Sequence, residues 1–113
     1  MSAIAKTPQP PYYAVIFTSV RTEGDNGYEE MANEMVEKAS HQPGFLGVES
    51  VRDAAGIGIT VSYWESLEAI GIWKNDVRHR EAQRLGQDLW YESFANRVCK
   101  VEKLGIFKIH DAR

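Results

Sequence analysis

Gly56-Ile57-Gly58-Ile59-Thr60-Val61-Ser62-Tyr63-Trp64-Glu65-Ser66-Leu67-Glu68-Ala69-Ile70-Gly71-Ile72-Trp73 changes its periodicity half-way along. Up to Trp64 the side chains alternate as on a strand. Ile57, Ile59, Val61 and Tyr63 take one face, and Gly58, Thr60, Ser62 and Trp64 the other. From Ser66 onward the pattern is helical: Ser66 is placed to N-cap a short helix carrying Leu67, Ile70 and Trp73. One strand face is bulky and apolar. The other is a row of small or hydroxylic residues ending in an indole. Such a row suits a solvated outer face, and it equally suits a hollow for a small ligand with Trp64 closing one end.

Working outward, Asp53-Ala54-Ala55-Gly56 is short enough for a hairpin turn, which makes Phe45 to Arg52 the preceding strand. A helix is predicted from about Tyr28 to His41. Tyr28, Met31, Ala32, Met35, Val36 and Ala39 share one face, a spacing that suits core packing, and the acidic residues take the other. Asn26 and Glu29 have capping-box spacing, and Gln42-Pro43-Gly44 stops the helix. Tyr12 to Ser19 reads as a strand apolar on both faces. Asn75 or Asp76 caps a polar helical segment from Val77 to Gly86 or beyond, and a last strand is expected from Arg97 to about Ile109. The order is β-α-β-β-α-β with the second helical region in pieces. That is the ferredoxin-like, split-βαβ form of an α+β fold with an antiparallel sheet. Helices on one face only leave Ile57, Ile59, Val61 and Tyr63 in need of cover, so the expectation is a homodimer whose two sheets close into a barrel.

At 113 residues the chain has the size of one domain, and 43% hydrophobic with 26% charged residues argues for an ordered core. Residues 1–11, ending in Pro8-Gln9-Pro10-Pro11, read as a mobile or extended lead-in. The net charge of −3 comes from interspersed signs with no basic stripe, so no nucleic-acid partner is expected. No apolar run approaches the roughly 20 residues of a membrane helix, and no signal-peptide core is seen, so the expected location is cytoplasmic. The single cysteine, Cys99, excludes an intrachain disulfide and reads as a small buried hydrophobe. No metal-ligand spacing, phosphate-binding loop or nucleophile elbow is present.

The segments PGFLGVES (43–50) and YWESLEAIGIWKND (63–76), followed by HREAQRLG (79–86) and Trp90-Tyr91, resemble the antibiotic biosynthesis monooxygenase family over about residues 12–104. Residues 105–113 form an extension that could reach a partner subunit. The resemblance implies a dimeric α+β barrel with a pocket between each sheet and its own helices. It also implies oxidation of a small electron-rich aromatic or enolic molecule by molecular oxygen, without metal or flavin. The best-understood branch places an Asn four residues before the strand-end Trp and a Tyr six residues after it. Here those positions are Thr60 and Ile70, around Trp64. A haem-degrading branch shares the Trp but places a ligating His near Ala82 or Gln83, about one turn from His79, and its first-strand Asn is missing from 12–19.

The candidate catalytic residues are therefore Trp64, Thr60 and His79. Ser62, Trp64, Trp73, Arg80 and Gln83 are the candidate substrate contacts. Trp64 offers an aromatic wall and an N–H donor, Thr60 and Ser62 offer hydroxyls, and His79 offers a base whose ordinary pKa is about 6.5. Three functions follow: a cofactor-independent monooxygenase, a non-catalytic small-molecule-binding or stress-related module, and a haem-degrading monooxygenase.

Overall fold

The computed structural model of the chain describes residues 3–107. Of the extension expected at 105–113, residues 108–113 lie outside the described residues. The elements are β1 (Tyr12–Arg21), α1 (Tyr28–Ser40), β2 (Phe45–Arg52), β3 (Ile57–Trp64), α2 (Leu67–Lys74), α3 (Val77–Leu85), a π-helical turn (Gly86–Trp90) and β4 (Tyr91–Val101). The strands form one sheet in the order β2-β3-β1-β4, each neighbouring pair antiparallel. This is the ferredoxin-like α+β arrangement expected from the periodicities.

Several boundaries differ from expectation. β4 begins at Tyr91 rather than Arg97, because Trp90 folds into the helical layer and Tyr91 pairs at once with Arg21. It ends at Val101, well short of Ile109. At the start of α1 the cap is Asp25, not Asn26. The Asp25 carboxylate accepts from the backbone N–H of Gly27 and of Glu29, each at 3.1 Å, and Asn26 bends through φ 50° to bring it there. Downstream, Ser66 caps α2 by accepting from Ala69 N–H, and Asp76 caps α3 by accepting from Arg78 and His79 N–H.

Register decides which residues share a face. Tyr13, Val15, Phe17 and Ser19 lie opposite Trp64, Ser62, Thr60 and Gly58, so all eight point toward the helices. There Trp64, Trp73, Ala39 and Ala69 form the buried centre, with Val15, Met35, Phe45 and Ile70 packed around it. Val36, expected on the buried face of α1, is half exposed, because the buried stripe runs through Met31, Met35 and Ala39.

Among the described residues the opposite sheet face carries no helix. Ile57, Ile59 and Val51 are exposed there. Cys99, paired with Ala14 on edge strand β4, shares that bare face and is exposed rather than buried. The lead-in is extended and tethered across one end of the face. Ala5 N–H donates to Glu49 Oε2 (2.9 Å), and the Thr7 and Tyr12 hydroxyls meet at 2.8 Å, which leaves Tyr12 buried. Tyr63 donates to the other oxygen of Glu49 at 2.6 Å. Burial and that carboxylate push the Tyr63 phenol up to about 12. No helix among the described residues is long and apolar enough to cross a membrane.

Candidate functional site

The strand-to-helix junction builds a column of rings. Trp64, the last residue of β3, is fully buried, with Phe45 edge-on at 5.4 Å. Ser66 starts α2 immediately afterwards, and two turns later the helix returns Trp73 to stack on Trp64 at 6.4 Å. The Asp76 cap then turns the chain into α3 and places His79 flat on Trp73, with ring centres 4.3 Å apart and planes 10° apart.

Hydrogen bonds fix the polar atoms of this column. Trp64 Nε1–H donates to Ser62 Oγ at 2.9 Å. The indole N–H is thus spent within the chain, while Ser62 keeps a hydroxyl proton to donate elsewhere. Thr60 Oγ1 and Ser50 Oγ, opposite each other on β3 and β2, lie 2.8 Å apart. His79 Nδ1 is 3.0 Å from the Trp73 carbonyl oxygen. A carbonyl only accepts, so Nδ1 carries the proton and Nε2 presents a lone pair. Burial holds the His79 pKa below its ordinary value, against the opposing pull of that carbonyl and of Asp76. The imidazole is therefore neutral at pH 7, the form that accepts a proton.

Of the residues singled out from the sequence, Ser62, Trp64, Trp73 and His79 come together. Thr60 lies next along the same strand face, toward Gly58. Gln83 sits one turn beyond His79 on the same side of α3 and is half-buried; Arg80 is exposed on another side. Ala82 offers no haem ligand, and His79, about one turn away, is stacked on Trp73 and held there by its Nδ1–H. Among the described residues, no three of His, Cys, Asp and Glu are grouped as metal ligands.

Sequence reasoning missed the other end of the row. Arg52 lies opposite Gly58 and stretches across it. A Cβ built on Gly58 would stand 2.6 Å from Arg52 Cζ. The space that glycine leaves is thus taken by a guanidinium. Its Nη1 donates to Gly56 O (2.6 Å), and its Nη2 donates to the buried Ser19 hydroxyl (2.8 Å) and, at 3.5 Å, to the Tyr28 hydroxyl. Arg21 lies over the Tyr28 ring at 3.7 Å, and Tyr91 meets the same ring edge-on at 5.8 Å. Burial raises the Tyr91 pKa, the Tyr28 hydroxyl adds to the rise, and the two guanidiniums oppose it. The hairpin register held the clue: a cation facing a glycine across a two-strand ladder has room to lie flat.

A separate open recess of about 280 Å³ lies between the start of α1 and α3, floored by Met31, Leu85 and Trp90. Its Arg78 is paired with Glu34 and Glu81, which raises the arginine pKa and lowers that of Glu34. None of the candidate catalytic or substrate-contact residues named from the sequence lines it.

Comparison with known proteins places these features in a wider set. The model of the family described as antibiotic biosynthesis monooxygenase matches residues 11–85. The uncharacterised protein YqjZ of Bacillus subtilis is 56% identical over 108 residues, covering 96% of this chain and 95% of its own. Among solved structures, SnoaB of Streptomyces nogalater, a cofactor-independent oxygenase, superposes with a TM-score of 0.71 at 9% identity, covering 84% of this chain and 97% of SnoaB. A protein of Shewanella oneidensis superposes with a TM-score of 0.73 at 10% identity, covering 89% of this chain and 100% of its own. At such low identities the two superpositions speak for the fold alone.

Proposed function

The chain belongs to the antibiotic biosynthesis monooxygenase family, and on that footing we propose that it is a monooxygenase oxidising a small electron-rich aromatic or enolic molecule with molecular oxygen, without metal or flavin. The observation that carries this reading is His79: neutral, with Nδ1–H pinned to a backbone carbonyl and Nε2 presenting a lone pair beside the indole column. The substrate passes a proton to Nε2, and the resulting anion supplies the electrons that oxygen accepts. With an anthrone, the ring CH₂ and O₂ give a hydroperoxide at that carbon. Removal of the remaining C–H proton expels hydroxide, which takes the proton from His79, so the products are a ketone and water. Ser62 and Thr60 orient the substrate oxygen, Gln83 borders the same side of α3, and Trp64 holds Ser62 in place.

Oxygen uptake on a panel of hydroquinones and anthrones tests this. Turnover is expected in the native chain, and a loss of at least tenfold in kcat in Thr60→Val/Ser62→Ala. Absence of turnover across the panel, or a double variant as active as the native chain, overturns it. A second reading, a module that binds an aromatic molecule without consuming it, is favoured by the Trp64 N–H being bonded within the chain. A thermal shift with the same panel that is identical with and without oxygen, and no uptake, would establish that reading. In either case we propose a homodimer closed over the bare sheet face of Ile57, Ile59 and Val51, and sedimentation of the native chain at the mass of two copies is the expected result.

A further inference from the structure

Two guanidiniums, Arg52 and Arg21, flank Tyr28 at the hairpin end of the helix-side sheet face, and among the described residues neither pairs with a carboxylate. Of the other described arginines, Arg78 has two carboxylates and Arg84 has Asp88, while Arg80 and Arg97 are exposed without one, so what distinguishes Arg52 is that it is half-buried. Arg52 is half-buried, and the oxygens that accept from it (Gly56 O, Ser19 O, Ser19 Oγ and Tyr28 Oη) are all neutral. Hydrogen bonds to neutral oxygens orient a cation but do not cancel its charge, and a partly desolvated cation without a counter-charge attracts an anion. Aromatic rings surround the same spot. Tyr28 and Tyr91 lie about 6 Å from Arg52 Cζ, at 5.9 and 6.0 Å, and Phe17 and Phe94 continue the wall beside Tyr91 at 5.2 and 5.9 Å.

We propose that Arg52, with the hydroxyls of Tyr28 and Tyr91, is the anion-recognition end of the helix-side face, and that it selects flat aromatic ligands carrying an anionic oxygen, phenolate or carboxylate. This deepens the reading of the site given above. Thr60 is the next residue from Gly58 on the same strand face, roughly 7 Å along at a strand rise of 3.4 Å per residue. A ring resting over Thr60 therefore brings its oxyanion to Arg52, while its far edge points toward Ser62 and the indole column. In that pose Arg52 stabilises the ionised form of the substrate, the form that gives electrons to oxygen. It is a binding residue and takes no proton.

Anaerobic binding measurements separate this from turnover. The probes are 2-naphthoate (the carboxylate arm), 4-nitrophenolate in mildly alkaline buffer (the phenolate arm) and neutral 2-methoxynaphthalene. The native chain is expected to bind at least one anion tenfold or more tightly than the neutral ether, with added salt weakening the anion alone. The tighter of the two anions identifies the source. Arg52→Gln should remove that preference and leave ether binding within twofold; Arg52→Lys should retain part of it. Equal affinity for anions and ether in the native chain, or a salt-independent preference, overturns the proposal. So does an Arg52→Gln chain that keeps the preference. Should Arg52→Gln fail to fold, the salt dependence of the native chain and the Arg52→Lys result decide. Anion binding without oxygen uptake leaves this site standing and removes only the oxygenase reading.

Discussion

On the helix side of β3, Trp64 is fully buried, its N–H is bonded to Ser62, Thr60 is bonded to Ser50, and Gly58 lies beneath Arg52. On the other side of the same strand Ile57 and Ile59 are exposed, and Tyr63 is held only at the end where the lead-in and Glu49 reach it. The chemistry runs opposite to the simplest hydrophobic rule: the polar row is buried at Gly58 and Trp64 and half-buried at Thr60 and Ser62 between them, while the apolar row is exposed at Ile57 and Ile59. Polar side chains on the covered face are tolerable because each finds a partner across or along the sheet; among the described residues no buried side-chain nitrogen or oxygen is left unbonded. Apolar residues on the bare face make sense when the cover comes from outside the chain.

The difference should show first at Trp64. Trp64→Ala removes the fully buried ring on which Phe45 and Trp73 pack, and it also leaves Ser62 without its donor. A loss of about 3–5 kcal/mol is expected in chemical denaturation. A loss below about 1 kcal/mol would mean that the column collapses around the gap and is not the organising contact of this face.

Gly58 sharpens the same contrast at the opposite end. In Gly58→Val the new side chain takes the place of the Arg52 guanidinium, which swings away and gives up Ser19 and Gly56. Arg52 is flexible, so the cost is in lost hydrogen bonds rather than overlap: about 1–2 kcal/mol. The same valine at 57, on the bare face, should change stability by less than about 0.5 kcal/mol. Equal effects at 57 and 58 would erase the distinction between the faces.

A subtler effect comes from His79. Its folded pKa is below the ordinary value of 6.5, chiefly through burial, so the unfolded chain binds more protons in that region. Stability is therefore full at neutral pH and falls as pH drops through 6.5 toward the folded value. His79→Phe keeps the stack on Trp73 and removes the titration. Its melting temperature should stay flat across that window while the native chain's declines. Parallel curves would show that other groups carry the acid sensitivity. The carboxylates of Glu34 and Asp76, whose pKa values are lowered, act in a more acidic range.

These contrasts also show what the residues disclose unaided. The switch of period at Ser66 and the hairpin at 53–56 led directly to the element order, because spacing and turn chemistry are local. The ring column was half legible: Trp64, Trp73 and His79 were named, but their stacking depends on the angle at which Ser66 and Asp76 launch two short helices. Arg52 was not legible as a site residue. Its reach over Gly58 to Ser19 crosses three strands, and only register places those residues on one face. The start of β4 was missed because an edge strand with mostly exposed side chains carries little alternation of burial to read.

A comparably small change in chain stability is expected for Ile59→Lys, and it is the one that tests the bare face. Ile59 is 43% exposed, so much of its surface already meets water and its replacement removes little burial within the chain. At concentrations low enough for single chains, unfolding free energy should move by no more than about 0.5 kcal/mol. At higher concentration the two proteins should diverge. If a second copy covers this face, the native melting temperature rises with concentration, since association stabilises only the folded form. A lysine at 59 in each copy places like charges against an apolar partner surface, so the variant should sediment as a monomer with a concentration-independent melting temperature. A variant that stays dimeric would move the contact elsewhere on the chain. One that destabilises the isolated chain as deeply as Trp64→Ala would show that Ile59 belongs to the folded core, and that the contrast between the two faces of β3 was misdrawn.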